Sequence, residues 1–139
     1  MILEAVELRI PSSESFLEAV QVFVEKIGAS FGVRGDETTS LSIAVLELVK
    51  NAMEHGNDMD PDKHVTITIS RQPGRIDFQI VDTGTWQPEK EPGYEPGEGE
   101  KLFSSRGRGV LIARNLARWV EFDLDPNGKT RAKLVWPLV

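Results

Sequence analysis

The sequence contains no cysteine. Disulfide bonds, thiolate nucleophiles and sulfur-ligated metals are therefore excluded. The two histidines, His55 and His64, lie too far apart for the ligand spacing of a zinc site. Positive charge is also scarce, since 16 Lys and Arg face 22 Asp and Glu and the net charge is −6. A domain of this charge is a poor match for general phosphate attraction, so we expect no direct nucleic-acid partner.

Long apolar runs are missing as well. No run approaches the roughly 18–20 apolar residues that cross a bilayer, and the chain opens Met1-Ile2-Leu3-Glu4 without the basic start of a signal peptide. We therefore expect a cytoplasmic protein with no membrane partner. The length of 139 residues predicts one domain, which is long enough to bury a sizeable core.

Two helices are predicted after a first strand. Residues 3–10 alternate loosely and end at Pro11, which favours a strand. Ser12 or Ser13 can cap a helix that ends near Gly28 or Gly32. The apolar stripe of this helix is Phe16, Val20, Phe23 and Ile27. A second helix is predicted from about residues 36–40 to about residue 55, with the buried stripe Leu41, Ala44, Val45, Leu48 and Ala52.

The remaining elements are mostly strands. Residues 65–69 and 76–80 alternate between apolar and polar side chains around a turn, which predicts a hairpin. A third helix is predicted over 110–117, followed by strands at 119–124 and 132–136. Tight turns between strands indicate antiparallel pairing. We expect an α+β fold, a two-layer sandwich whose mixed, mostly antiparallel sheet is covered on one face by helices.

The second helix carries a line of polar residues. Glu47, Asn51, Glu54, His55 and Asp58 follow at i, i+4, i+7, i+8 and i+11, which predicts a common helical face. A solvated surface is the common explanation of such a line. Asn51 counts against it, because an Asn amide competes for backbone hydrogen bonds inside a helix. A carboxylate and a carboxamide one turn apart can bind a hydrated cation and activate a hydroxyl group, so both interpretations stay open.

Glycine and proline concentrate in one segment, since six of the 12 glycines and three of the 8 prolines fall within residues 84–109. At its start, Asp82-Thr83-Gly84 follows a predicted strand. A buried carboxylate there can accept a hydrogen bond from an exocyclic amine, and Gly84 permits the close approach of a flat ring. An ordinary turn explains the same residues, so this motif alone is weak.

The end of the same segment has the composition of an anion site. Gly107 and Gly109 directly precede a predicted helix, whose unpaired N-terminal amides favour an anion such as phosphate. Arg106 and Arg108 add positive charge beside them. The segment is neither a Walker loop nor a dinucleotide-binding fingerprint, and a plain helix start is the alternative.

Taken together, three segments resemble the nucleotide-binding boxes of the GHKL ATPase superfamily, the Bergerat fold of gyrase, heat-shock protein 90, MutL and histidine kinases. These segments are residues 47–52, 82–84 and 107–110. The resemblance extends from about residue 5 to 137, and the predicted element order agrees with it. It implies a single histidine-kinase-like ATPase domain over residues 1–139, with an ATP lid at about 84–108.

Within the superfamily, the chain is most similar to the anti-sigma-factor serine kinases of bacterial partner-switching systems. Their first box reads Glu-Ala-x-x-Asn-Ala, and residues 47–52 read ELVKNA. The resemblance implies an ATP- and Mg²⁺-dependent serine/threonine kinase that sequesters a sigma factor and phosphorylates a STAS-domain anti-anti-sigma factor. Relatives form homodimers, so a homodimer is left open. The alternatives are an ATP-binding module that holds its partner without phosphorylating it, and a histidine-kinase-like or ATP-hydrolysing fragment.

The resemblance also implies a role for individual residues. Glu47 is the general base for the incoming hydroxyl, and Asn51 ligates Mg²⁺. Asp82 binds the adenine amino group with support from Thr130. The residues implied to approach the ring or line the phosphates are Gly84, Arg106, Gly107, Arg108 and Gly109. The chain departs from many relatives at Trp86, where they carry a second glycine, which puts the hinge of the lid in doubt.

Overall fold

The computed structural model describes residues 1–84, 113 and 119–138. The strands are β1 (Glu4–Pro11), β2 (His64–Gln72), β3 (Arg75–Val81), β4 (Trp119–Leu124) and β5 (Thr130–Pro137). The helices are α1 (Leu17–Ser30), preceded by a 3₁₀ turn at Glu14–Phe16, and α2 (Thr38–Asn51), continued by a π-helical turn at Ala52–Gly56. Ala113 is helical and buried, whereas the rest of the predicted third helix and nearly all of the predicted lid lie outside the described residues.

The five strands form one sheet in the order β1-β2-β3-β5-β4. Every described pair is antiparallel, so the mixed sheet of the prediction is a purely antiparallel one over these residues. The predicted hairpin of β2 and β3 is confirmed, and β4 and β5 form a second one; their turns contain Gly74 and Gly128 at φ +77° and +79°. Because β5 inserts between β3 and β4, the end of β3 lies beside the start of β5.

The core lies between this sheet and the helices, which confirms the two-layer α+β fold. A period of two places alternate strand residues on one face, and on the central strands these are apolar and buried. They are Val65, Ile67, Ile69, Ile76, Phe78, Ile80, Ala132, Leu134 and Trp136. The predicted stripe of α2 belongs to the same buried cluster, from Leu41 to Ala52. No helix in the described part of the chain is long and apolar enough to cross a membrane.

The first helix differs in part from its predicted apolar stripe. Phe16 is exposed and lies in the 3₁₀ turn before α1, and the fully buried line of the helix is Val20, Val24 and Gly28. Gly28 explains the shift, because a Cβ atom there would lie 2.8 Å from Leu41 Cδ2. The two helices therefore pack directly against each other at this glycine, and the line that contains it is buried.

The sequence predicts that α1 ends near Gly28 or Gly32, and the structure shows that Gly32 is the one that follows the helix end. The helix passes Gly28 and ends at Ser30, followed by Gly32 at φ +104°. A left-handed residue just past a helix is the common glycine termination. The backbone N–H of Val33 donates to Gly28 O at 2.9 Å, which closes this end onto the last turn.

Candidate functional site

Two predicted site residues lie one turn apart on α2. Glu47 is half-buried, and its Oε1 lies 3.6 Å from the ammonium nitrogen of Lys50. Asn51 is buried, and its side-chain Nδ2 has no hydrogen-bond partner within the described residues. Because a buried amide without a partner is destabilising, it calls for an explanation such as a ligand. The unpaired Nδ2 is a donor and therefore fits an acceptor such as a nucleotide phosphate oxygen, whereas a metal contact would have to use Oδ1 of the same side chain.

Beyond Asn51 the helix widens into the π-helical turn at Ala52–Gly56. The backbone N–H of Asn57 donates to Ala52 O at 3.0 Å, five residues back. Such turns occur frequently at functional sites. The wide turn ends the 3.6-residue repeat, so the common polar face predicted as far as Asp58 is wrong: Asp58 lies past the helix, exposed, at φ +52°.

The carboxylate of Asp82 lies directly over the backbone of Gly56. Asp82 follows β3 and is only 3% exposed. A Cβ atom on Gly56 would lie 2.2 Å from both Cγ and Oδ2 of Asp82, so any side chain at this position would displace the carboxylate. Gly56 is a site residue that the sequence analysis missed, because a glycine at the end of a helix is typical of a simple helix stop.

Gly84 and Thr130 complete the surroundings of this carboxylate. The backbone N–H of Gly84 donates to Asp82 Oδ1 at 2.7 Å, and a Cβ on Gly84 would lie 2.6 Å from Gly56 O. Thr130, buried at the start of β5, donates its N–H to Gly84 O at 2.9 Å and accepts from Asp82 N at 3.2 Å. The structure thus brings together Asp82, Gly84 and Thr130, three residues that were predicted from distant parts of the sequence.

Asn57 is a second residue that the sequence analysis missed. Its side chain is completely buried and makes four hydrogen bonds. Nδ2 donates to Ser12 Oγ and His64 O, and Oδ1 accepts from the backbone N–H and the hydroxyl of Thr83. His64, which directly precedes the strand predicted over 65–69, is the first residue of β2. In the sequence, Gly56-Asn57 is typical of a turn, and no periodic pattern indicates that the Asn57 side chain makes these four hydrogen bonds.

Four predicted residues lie outside the described part of the chain: Arg106, Gly107, Arg108 and Gly109. Their contact with phosphate therefore stays a prediction. The described part of the site comprises the carboxylate of Glu47 and the carboxamide of Asn51 on α2, and the glycine-flanked carboxylate of Asp82 at the end of β3. Asp82 offers an acceptor for an exocyclic amine, and Asn51, more than one helical turn before Gly56, offers an oxygen that could ligate a cation.

Comparison with known sequences points to one family. A family model described as "Histidine kinase-like ATPase domain" matches residues 10–136. The serine-protein kinase RsbW of Bacillus subtilis is 23% identical over 116 residues, which cover 80% of this chain and 72% of RsbW. The anti-sigma F factor of Geobacillus stearothermophilus is 28% identical over 128 residues, which cover 88% and 82% of the two chains.

Solved structures share the fold at low sequence identity. The structure of the RsbU and RsbW domains of a Mycobacterium tuberculosis protein aligns with a TM-score of 0.63 and 18% identity, covering 97% of this chain but only 32% of that chain. The SiaB–SiaC complex of Pseudomonas aeruginosa aligns with a TM-score of 0.62 and 13% identity, covering 97% and 89%. The catalytic domain of the histidine kinase ThkA has a TM-score of 0.53 and 14% identity, with 97% of each chain covered.

Proposed function

The chain belongs to the histidine kinase-like ATPase domain family, and we propose that it is an ATP-dependent protein serine/threonine kinase that acts as an anti-sigma factor. Its proposed partners are a sigma factor and a STAS-domain anti-anti-sigma factor, the substrate of phosphorylation. Relatives named as a serine-protein kinase and as an anti-sigma factor support this role. One of the structures with the same fold is a complex of two proteins, SiaB and SiaC, which is in keeping with a partner-switching role.

The observation that carries the proposal is the continuity of one helical element. α2 runs from Glu47 through Asn51 into the π-helical turn, which ends at Gly56 beneath the Asp82 carboxylate. Gly56 is the fifth residue after Asn51, a step of at most about 7.5 Å along a helix axis. We infer that ATP lies along this element, with adenine at Asp82, the phosphates near Asn51 and the acceptor hydroxyl at Glu47.

The proposed chemistry follows from these positions. Asp82 accepts a hydrogen bond from the adenine amino group, and Gly56 and Gly84 allow the backbone to pack closely around this carboxylate. Asn51 holds Mg²⁺, which neutralises phosphate charge when bound. Because Mg²⁺ prefers a few protein oxygens supplemented by water and phosphate, one carboxamide on a helix fits it. Glu47 takes the proton of the Ser or Thr hydroxyl while that oxygen bonds to the γ-phosphorus and the bond to the ADP oxygen breaks.

The phosphate end of the proposed site rests on residues beyond the described part. Gly107 and Gly109 would contribute backbone N–H groups at a helix N-terminus, with Arg106 and Arg108 as neighbouring cations. Phosphoryl transfer depends mainly on positioning and on charge stabilisation. These four residues are therefore proposed to complete what Asn51 and Mg²⁺ begin.

The test is phosphate transfer from labelled ATP, with Mg²⁺, to STAS-domain proteins encoded in the same genome. We expect label on a partner Ser or Thr, and a loss of about 10²–10⁴-fold in rate for Glu47→Gln with ATP affinity retained. Glu54→Gln is the matched control, because Glu54 is an exposed carboxylate seven residues farther along the chain. Tight ATP binding without transfer to any of these proteins would overturn the kinase proposal.

A second candidate function is an ATP-binding module that holds its partner without phosphorylating it. The ion pair between Lys50 and Glu47 favours this candidate, since the ammonium lies beside a carboxylate oxygen that a general base would need for the acceptor hydroxyl. Partly exposed pairs contribute only about 0–1 kcal/mol, so this contact is a weak one. A module of this kind predicts that ATP strengthens the partner complex while no label moves.

A further inference from the structure

We propose that Asn57 is a positioning residue that sets the adenine selectivity of the site by holding the turn that carries Asp82. The inference rests on the proposed ATP-binding function. Asn57 is not placed in contact with the nucleotide. It acts through Thr83, the residue between Asp82 and Gly84.

The side-chain amide of Asn57 uses all of its hydrogen-bonding capacity. Nδ2 donates to Ser12 Oγ at 2.8 Å and to His64 O at 3.1 Å. Oδ1 accepts from Thr83 N at 2.9 Å and from Thr83 Oγ1 at 2.6 Å. A carboxamide offers two donors and two lone pairs, so none is left over. The orientation of the amide is also determined. Exchanging Oδ1 and Nδ2 would place the amide N–H groups against the backbone N–H of Thr83, and the amide oxygen against the carbonyl oxygen of His64.

These hydrogen bonds connect the ends of three neighbouring strands, β1, β2 and β3, at the same end of the sheet. Ser12 follows β1, His64 begins β2 and Thr83 follows β3 shortly after its last residue. Ser12 Oγ in turn donates to Lys63 O at 2.7 Å, which extends the network to the segment before β2. Because the amide of Asn57 is fully buried and all its hydrogen bonds are made, it gives this end of the sheet a single arrangement. The turn at Thr83 is therefore attached to a rigid part of the fold.

Asn57 and Thr130 hold complementary parts of that turn. Thr130 pairs with the backbone N–H of Asp82 and the backbone C=O of Gly84. The backbone N–H of the middle residue, Thr83, is held by Asn57. Asn57 also directly follows Gly56, whose Cα lies under the Asp82 carboxylate. The same residue thus locates the backbone beneath the carboxylate and the turn that bears it.

Selectivity for adenine depends on this placement. A site built to hydrogen-bond a substrate N–H group discriminates strongly against an analogue that lacks it, provided that the acceptor is held within about 0.5 Å of its position. ITP has a carbonyl oxygen and a protonated N1 where ATP has the amino group and an unprotonated N1, so it changes the ring edge that faces Asp82 and leaves the sugar and the phosphates as they are. Loosening the turn therefore lowers the ratio of ATP to ITP affinity, whereas a merely destabilised fold weakens both nucleotides alike.

The experiment measures the dissociation constants of ATP and ITP, with Mg²⁺, for the full chain and its variants. We expect the affinity for ATP, divided by the affinity for ITP, to fall about tenfold in Asn57→Ala, which corresponds to roughly one hydrogen bond. Ser42→Ala is the matched control, since Ser42 is fully buried and hydrogen-bonds Glu25 and Thr39 O on the helices. This control is expected to lose stability and keep the ratio.

Thr83 provides a second pair of variants that does not disturb the interior. Thr83 is exposed, so Thr83→Val removes its hydroxyl bond to Asn57 without unpairing a buried amide entirely, and Thr83→Ser retains the bond. We expect a ratio reduced about threefold in Thr83→Val and restored in Thr83→Ser. These variants decide the matter if Asn57→Ala does not fold.

The two possible failures are distinct. If the wild-type chain binds neither nucleotide, the proposed ATP function fails and this inference fails with it. If the wild-type chain selects ATP, but both folded Asn57→Ala and Thr83→Val keep the wild-type ratio, the positioning role alone is overturned.

Discussion

Two aspartates at different strand positions have opposite surroundings. Asp82, at the end of β3, is 3% exposed and lies over the backbone of Gly56, with the backbone N–H of Gly84 at 2.7 Å. The Asp123 side chain, in β4, is 30% exposed and accepts two bonds of 2.8 Å from Arg131 of β5. Lys133 Nζ lies 3.1 Å from the same carboxylate.

The difference separates a carboxylate that ties two strands together from one that is proposed to bind a nucleotide. The Arg131 guanidinium, which hydrogen-bonds both carboxylate oxygens, lowers the pKa of Asp123, and Asp123 in turn raises the pKa of Arg131. Fork-shaped pairing of this kind satisfies both partners. Asp82 instead packs against the backbones of two glycines, Gly56 and Gly84, with its carboxylate in the space that a Gly56 side chain would need.

The largest expected contrast comes from neutralising each aspartate. Asp82→Asn should weaken ATP binding about 100-fold, because it replaces a charged acceptor and can turn an amide N–H toward the adenine amino group. Asp123→Asn should leave ATP affinity unchanged. Titration calorimetry with both variants measures the difference. Unchanged affinity in Asp82→Asn would show that the adenine end has been misassigned.

A smaller effect is expected from adding a single methyl group beneath the Asp82 carboxylate. In Gly56→Ala the new Cβ would lie 2.2 Å from Asp82 Cγ, so the carboxylate or the π-helical turn has to move. We expect ATP affinity to fall about tenfold and the melting temperature to drop, as overpacking usually causes. Gly35→Ala is the control, because a Cβ at Gly35 meets no atom within 4 Å. Equal ATP affinity in the two alanine variants would show that the position of the Asp82 carboxylate does not affect nucleotide binding.

The smallest effect concerns the stability supplied by Asp123. Its pKa in the folded state is below the ordinary value of 3.8, so its stabilising contribution is present above pH 3.8 and is lost as the pH falls through the folded pKa. Asp123→Asn should therefore lower the free energy of unfolding by about 1 kcal/mol at pH 7. Urea unfolding at several pH values measures the difference in the free energy of unfolding between the wild-type chain and Asp123→Asn. If this difference stays constant down to the lowest pH, the pairing with Arg131 is not its cause.

Much of the fold follows from local patterns. Strict alternation in residues 65–69 and 76–80 predicts the β2–β3 hairpin, and the stripe from Leu41 to Ala52 predicts the buried side of α2. In α1 the 3.6-residue pattern fits two neighbouring lines, and the contact of Gly28 with Leu41 determines which is buried. Gly28 and Leu41 lie on different helices, so the periodicity of α1 alone does not predict their contact.

The candidate site divides in the same way. Glu47, Asn51, Asp82 and Gly84 are proposed from sequence because the proposed chemistry needs particular side chains along short segments, whereas Thr130 is proposed from the family resemblance. All five are buried or half-buried in the structure, where Asp82, Gly84 and Thr130 meet. Arg106, Gly107, Arg108 and Gly109 lie outside the described residues and stay predictions.

Short-range patterns predict the strands and the first two helices, and the motifs at residues 47–52, 82–84 and 107–110 carry the family resemblance, because each of these features lies within one turn or one strand. The roles of Gly56 and Asn57 depend instead on contacts across the fold. Gly56 matters because the Asp82 carboxylate, 26 residues later in the sequence, occupies the space of its missing side chain. Asn57 matters because three strand ends converge on its amide. Such convergence exists only after the sheet has formed.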